Sequence, residues 1–381
     1  MRYQFYIGAV LLVFAALIIN CSAQKNAAEA IQIQTYGKIS EIGKLSEARA
    51  SHSATLLKNG AVLIIGGMER NGVFFNDADI FDPNTNTFKQ AKGKMSRKRV
   101  SHTATLLKDG KVLIVGGWSN NDSPEMSAEI YDPQTETFQT IGNMNFRRAG
   151  HTAMLLDNDK VLITGGFDGK VNLSEAEIFD SQADTFTVIG KMQSARLGHT
   201  ATKLADGKIL LAGGELSRGQ ILSSAEIFNL QTNKFSPVKN PMTVARYKHD
   251  AVLLADRRVL IFGGSDHRDW RGQYKSAEIF NPKTGEFTPT GEMNFARFKI
   301  DGVSVLLKDG KVFIGGGSES AEVFNPQTNS FTKTEGNFGA AFHFASVTLL
   351  ADGRALIVGG YGNGTRETGP ISTNRAWIFK L

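Results

Sequence analysis

The amino-acid sequence predicts an all-β fold in which seven copies of one four-stranded antiparallel unit close into a ring. Three observations predict it. Glycine pairs end apolar runs at Gly66-Gly67, Gly116-Gly117, Gly165-Gly166, Gly213-Gly214, Gly263-Gly264, Gly316-Gly317 and Gly359-Gly360, a repeat of about 50 residues. An Asn-Gly or Asp-Gly signal stands before five of these runs, at Gly60, Gly110, Gly207, Gly310 and Gly353. No segment has the length and period of a helix.

Each element of the unit follows from its residues. The first strand lies in segments such as Ser101-His102-Thr103-Ala104-Thr105-Leu106-Leu107. The Asp-Gly that follows predicts a type I′ hairpin, with positive φ at both central residues. The second strand, such as Val62-Leu63-Ile64-Ile65, is apolar on both faces and so is buried on both sides. A variable loop leads to the third strand, such as Ile178-Phe179, and Asp82-Pro83-Asn84-Thr85 and its relatives read as type I turns. Phe88, Phe138, Phe186, Phe235, Phe287 and Phe331 each open a fourth strand. Four antiparallel strands in about 50 residues make a propeller blade. The last copy stops at Leu381 without a fourth strand, whereas residues 35–45 match a fourth strand and its exit. The N-terminal strand is therefore expected to complete blade seven and remove the exposed edge.

Composition narrows the class. Hydrophobic residues at 41% and charged residues at 21% exclude wholesale disorder. The single cysteine excludes intramolecular disulfides and Cys-rich metal clusters. The net charge of +6 comes from 43 basic and 37 acidic residues without a Lys/Arg block, which suits solubility and not nucleic-acid binding. Residues 1–20 read as a signal peptide, with Arg2 before the apolar run 7–19. That run is short for a membrane span. The lone Cys21 follows it directly and resembles the lipidated cysteine of a bacterial lipobox, although Asn20 stands where that pattern has a small residue. Cleavage after Cys21-Ser22-Ala23 is the alternative. Residues 21–33 then form a lipid-anchored tether and 34–381 the propeller. The expected location is the bacterial cell envelope, at the outer membrane or periplasmic face, or else soluble in the periplasm or secreted.

The repeat, with Arg, the glycine pair, an aromatic before Asp-Pro and a closing aromatic, resembles the kelch repeat over almost the whole mature chain. The closing Phe, where many eukaryotic kelch repeats have Trp, is more similar to galactose-oxidase-like propellers. That resemblance implies copper held by Tyr and His beside a Cys–Tyr cross-link. Cys21 lies in the export segment, so this cofactor cannot form and none is expected.

Arginine recurs before the first strand at Arg49, Arg99, Arg148, Arg196, Arg246 and Arg297. An acid recurs in the third at Asp79, Glu129, Glu177, Glu226, Glu278 and Glu322. Blade seven lacks both, with Ala340 and Trp377 read at those places. Joint presence and joint absence predict an ion pair in each of six blades; the alternative is an arginine ring for anions. His52, His102, His151, His199 and His249 follow their arginines by three and read as scaffold hydrogen-bonders more readily than as metal ligands. Ile300 takes this place in blade six, and His343 stands in a shifted register.

Function is expected in the loops after the glycine pairs. Blade six has almost no loop and its neighbours have the longest, which predicts a notch walled by 265–276 and 361–375. The candidate binding residues are Asp266, His267, Arg268, Trp270, Arg271 and Tyr274, with Trp118, Tyr361 and Arg366 on the same rim. The leading expectation is a non-enzymatic, monomeric, membrane-anchored module that binds a protein or glycan, with no nucleic acid. The alternative is a sugar-active enzyme of mutarotase or epimerase type, with Glu215, Arg218, Asp266 and Arg268 as candidate groups.

Overall fold

The computed structural model describes residues 35–381 apart from 71, 121–122, 218 and 366–368. The signal peptide, Cys21, the tether, Arg218 and Arg366 lie outside the described residues. Tyr36–Leu381 forms one compact unit of seven four-stranded antiparallel sheets. Blade one consists of Ser53–Leu56, Val62–Ile65, Ala78–Asp82 and Thr87–Gln90, and blade six of Ser304–Leu306, Val312–Ile314, Glu322–Asn325 and Ser330–Lys333. Blade seven takes Ser346–Leu349, Ala355–Val358 and Arg375–Lys380 from the C-terminal end and Lys38–Lys44 from the N-terminal end.

The closing pair has the register Lys38↔Lys380 and Glu41↔Trp377. It is clamped by the Arg375 guanidinium on the Glu41 carboxylate at 2.6 and 2.9 Å. The core lies between blades. Leu63 and Ile65 pack with Val112, Ile114 and Tyr131 of blade two, while Val62 and Ile64 pack with Leu356 and Val358 of blade seven. A strand with an apolar side chain at every position is thus buried against both neighbours. Within six blades the third-strand aromatic stacks on the fourth-strand Phe, as in Phe81–Phe88 and Phe179–Phe186, at 4.8–4.9 Å between centroids.

The glycine pair is required at its place. Gly66 and Gly67 have φ of +62° and +90°. A Cβ on Gly66 would stand 2.6 Å from the Arg99 carbonyl, and one on Gly67 would stand 2.7 Å from the Ala50 carbonyl.

Two expectations are corrected. The hairpins are three-residue loops, not type I′ turns. Gly60 N–H donates to the Leu57 carbonyl at 3.0 Å, and only Gly60 of the loop has positive φ. Leu57 and Ala61 still pair beyond it. This is a type I turn followed by a left-handed residue, and Asn59 Oδ1 supports it by accepting the Ala61 N–H. Asp159 and Arg257 hold the same left-handed place in blades three and five.

Blade seven also aligns differently. His343 pairs with Tyr361 as Ala50 does with Met68. The residue at the arginine place is therefore Phe342, not Ala340, and Ala345 takes the histidine place. Phe342 lies 5.4 Å from Trp377, so an apolar aromatic pair stands where the other blades have charges.

Candidate functional site

In each of six blades the arginine is buried and ties two strands of its own blade. Arg148 Nη1 donates to the Gly165 carbonyl at 2.7 Å, and Nη2 stands 3.0 Å from Glu177 Oε1. The corresponding pairs are Arg49–Asp79 at 3.2 Å, Arg99–Glu129, Arg196–Glu226 and Arg246–Glu278 at 3.0 Å, and Arg297–Glu322 at 2.9 Å. The acid also accepts the N–H that opens each blade, such as Asn145 on Glu177 at 2.6 Å. Asp79 has the shorter side chain, and Asp77 supplements it at 3.1 Å. These groups face inward and do not form an exposed anion ring.

The residue two after each arginine, and two after Phe342 in blade seven, stands on the axis. Ser51, Ser101, Gly150, Gly198, Lys248, Lys299 and Phe344 all have φ between +51° and +62°. Each donates its N–H to the carbonyl of the preceding member, from Ser101 on Ser51 through Lys299 on Lys248, and Ser51 on Phe344 closes the circle. The seven bonds measure 2.7–3.2 Å.

Just beyond this ring the histidines link adjacent blades. Nε2 of His52, His102, His151, His199 and His249 meets Ser346, Ser53, Thr103, Thr152 and Thr200 at 2.8–3.1 Å. Burial, followed by the charge of the nearby arginines, drives His52, His102 and His199 down to about 3. These rings are neutral at pH 7, and no group of three or more His, Cys, Asp or Glu among the described residues is placed to hold a metal ion.

Blade six breaks the pattern. From arginine to the glycine whose carbonyl it holds is 17 residues in the other arginine blades but 19 in blade six. Asp301-Gly302 is the excess. With Ile300 at the histidine place, blade five offers Asp250 instead of a hydroxyl. Its carboxylate accepts from Val303 N at 3.0 Å, Ser304 Oγ at 2.7 Å and Gly302 N at 3.4 Å. Burial and then the Asp301 charge push Asp250 up to about 7, against these donors.

The excess turn puts Asp301 into the wall of an axial cavity of about 280 Å³. Trp118, Phe167, Leu197, Lys248 and Phe344 share that wall. Asp301 is open to the water of the channel, yet protein surrounds it and lifts its carboxyl to about 6. Trp118 and Phe167 pack at 5.9 Å between centroids. The mouth is therefore uneven, small and aromatic along blades one to four and charged along blades five and six.

The charged side is organised by Asp269. It meets Lys248 Nζ at 3.3 Å, Lys299 Nζ at 3.4 Å and the Tyr247 hydroxyl at 3.1 Å. Lys299 also donates to the Tyr361 hydroxyl at 2.9 Å. Burial opposes the charge on Asp269, but the two ammoniums hold its carboxyl below the usual range. Burial lowers Lys248.

The notch over blade six is a cleft of about 480 Å³ with Gln273 and Lys275 on one wall and Ala341 and His343 on the other. The candidate residues do not gather there. Trp118 is at the axial mouth and Tyr361 is at Lys299. Arg268 pairs with Asp266 at 2.6 Å in the same loop, and Tyr274 lies under the Arg246 guanidinium at 5.6 Å. His267 and Arg271 are exposed. Trp270 contributes backbone to a 3-10 turn, Asp269–Arg271. Lys248, Lys299, Asp301 and Phe167 were not among the candidates. The signal available for Asp301 was the long step between the glycine pairs of blades five and six.

The ring of seven sheets, with its axial mouth, defines a β-propeller. Residues 29–202 match the model of the KLHDC2/KLHL20/DRC7 Kelch-repeats domain, and residues 199–242 match the Kelch motif. The chain is a kelch-repeat β-propeller. No curated protein matches it. Among solved structures it is similar to a fungal alcohol oxidase of the AA5 family, determined in complex with copper. The TM-score is 0.70 at 16% identity, over 92% of this chain and 76% of that one. The donors described above do not fit a copper site. Kelch propellers generally bind protein partners.

Proposed function

We propose that the protein is an exported binding module, anchored through Cys21 at the cell envelope, that seats a segment of a protein partner in its axial mouth. The observation that carries this reading is the uneven mouth, with the Trp118–Phe167 wall opposite Asp301 and the Lys248–Asp269–Lys299 cluster. A rigid ring that supports a concave patch of aromatic and charged groups suits recognition.

The test is capture from a cell-envelope extract by the full chain, by Trp118→Ala and by Val188→Ala. Val188 is exposed on the outer strand of blade three. A partner lost with Trp118→Ala and kept with Val188→Ala supports the reading; equal capture by all three contradicts it. A glycan array run in parallel separates a sugar ligand from a protein. Palmitate labelling that disappears in Cys21→Ala tests the anchor.

A further inference from the structure

The axial cavity holds one anionic group whose charge nothing answers. Asp301 makes no ion pair or hydrogen bond among the described residues, although it stands in a wall enclosed by seven blades. The neighbouring cations are engaged elsewhere. Lys248 Nζ is held by Asp269 at 3.3 Å and by the Tyr247 hydroxyl at 3.4 Å, and Lys299 Nζ by Asp269 and the Tyr361 hydroxyl. The imidazoles of His52, His102, His151 and His199 are neutral, and each Nε2 is bound to a hydroxyl. The other acid nearby, Asp250, is capped by backbone N–H groups and Ser304. Ser51, Ser101, Gly150 and Gly198 keep the opposite side small, which leaves room between Asp301 and the aromatic faces of Trp118 and Phe167.

We infer that the axial cavity is a site for an organic cation, the primary ammonium of a lysyl side chain presented by the partner, with Asp301 as its counter-ion and Trp118 and Phe167 lining its stem. This rests on the loop-face reading above and names the group that enters. A carboxylate in a partly desolvated channel gains most from a charge-assisted bond to an ammonium, and aromatic faces attract the same charge. The excess turn is what makes the site: a blade with the 17-residue spacing would carry no side chain at this place.

The test is calorimetric titration of the full chain with N-acetyl-lysine amide and with its neutral counterpart, N-acetyl-norleucine amide. The lysine derivative is expected to bind at least about tenfold more tightly than the neutral one, as loss of one charged contact implies. Asp301→Asn abolishes that preference with a melting temperature no lower than that of the wild type, and Asp301→Glu retains it. Affinity of the wild type falls as the pH drops from 7.5 to 5, because Asp301 takes up a proton near 6; its neighbour Asp250, near 7, is protonated over the same interval but is turned to its own backbone donors, and the buried imidazoles stay neutral. Equal binding of the two derivatives, binding of neither, or a preference that survives Asp301→Asn overturns the inference. Partner capture that still depends on Trp118 in any of those cases leaves the loop-face reading standing.

Discussion

At the scale of single residues, the buried arginines are scaffold. Arg148 and Glu177 are both fully buried, so removing one partner leaves an uncompensated charge. Glu177→Leu is expected to cost about 3–5 kcal/mol in urea unfolding, and Arg148→Met on top of it to recover part of that loss. A single variant as stable as the wild type contradicts this. Blade seven makes the same substitution naturally with Phe342 and Trp377. The histidines add a pH dependence. Burial puts the folded pKa values of His52, His102 and His199 near 3 and holds His151 and His249 well down too, below the unfolded value of about 6.5. Below that value the unfolded chain binds protons that the native one refuses. The stabilisation is therefore complete above about pH 6.5 and falls towards pH 3 by about 1.4 kcal/mol per unit and histidine. Urea melts at pH 7.5 and 5 test this, and His151→Gln should flatten the slope. Arg and acid occur together in six repeats and are missing together from the seventh, so their partnership was legible. Asp301 was not, because one extra pair of residues in a long repeat looks the same whether it enlarges an outer loop or a turn on the axis.

At the scale of elements, the hairpins show where local rules stop. Asn-Gly and Asp-Gly named the places of the turns correctly but not their type. Turn type depends on where strand pairing resumes, here Leu57 with Ala61, and that is set by the neighbouring blade. The comparison between blades yields a prediction. Arg257 has φ of +72° where blades one, two, four, six and seven have glycine, and a left-handed L-residue costs about 1–2 kcal/mol. Arg257 is exposed. Arg257→Gly should raise stability by about 1 kcal/mol, net of glycine's extra chain entropy, and a loss of stability would show that its side chain contributes a contact. The place of the notch over blade six and its wall in 265–276 were legible from loop lengths, but its other wall is Ala341 and His343 and not the expected 361–375. Its emptiness of the candidate residues was not, because Asp266 and Arg268 satisfy each other within their own loop.

At the scale of the whole molecule, closure depends on pairing the two chain ends. Removing residues 36–44 strips Arg375–Lys380 of its outer partner, and Glu41 and Ile39 go with it. Circular dichroism is expected to show loss of the cooperative melt; a truncated chain that melts like the full one contradicts the closed ring. This much was legible because an unmatched fourth strand stood at one end and a missing one at the other. The axial mouth was harder to read, since its members come from all seven blades and meet only when the ring is shut. The most direct test of recognition at that mouth is photo-crosslinking. A photoactivatable phenylalanine analogue is placed at Phe167 or, as the control, at Val188, and each protein is exposed to the envelope extract. A single partner adduct at Phe167 and none at Val188 is the predicted result. Adducts at Val188 with none at Phe167 would place recognition on the outer strands and contradict it.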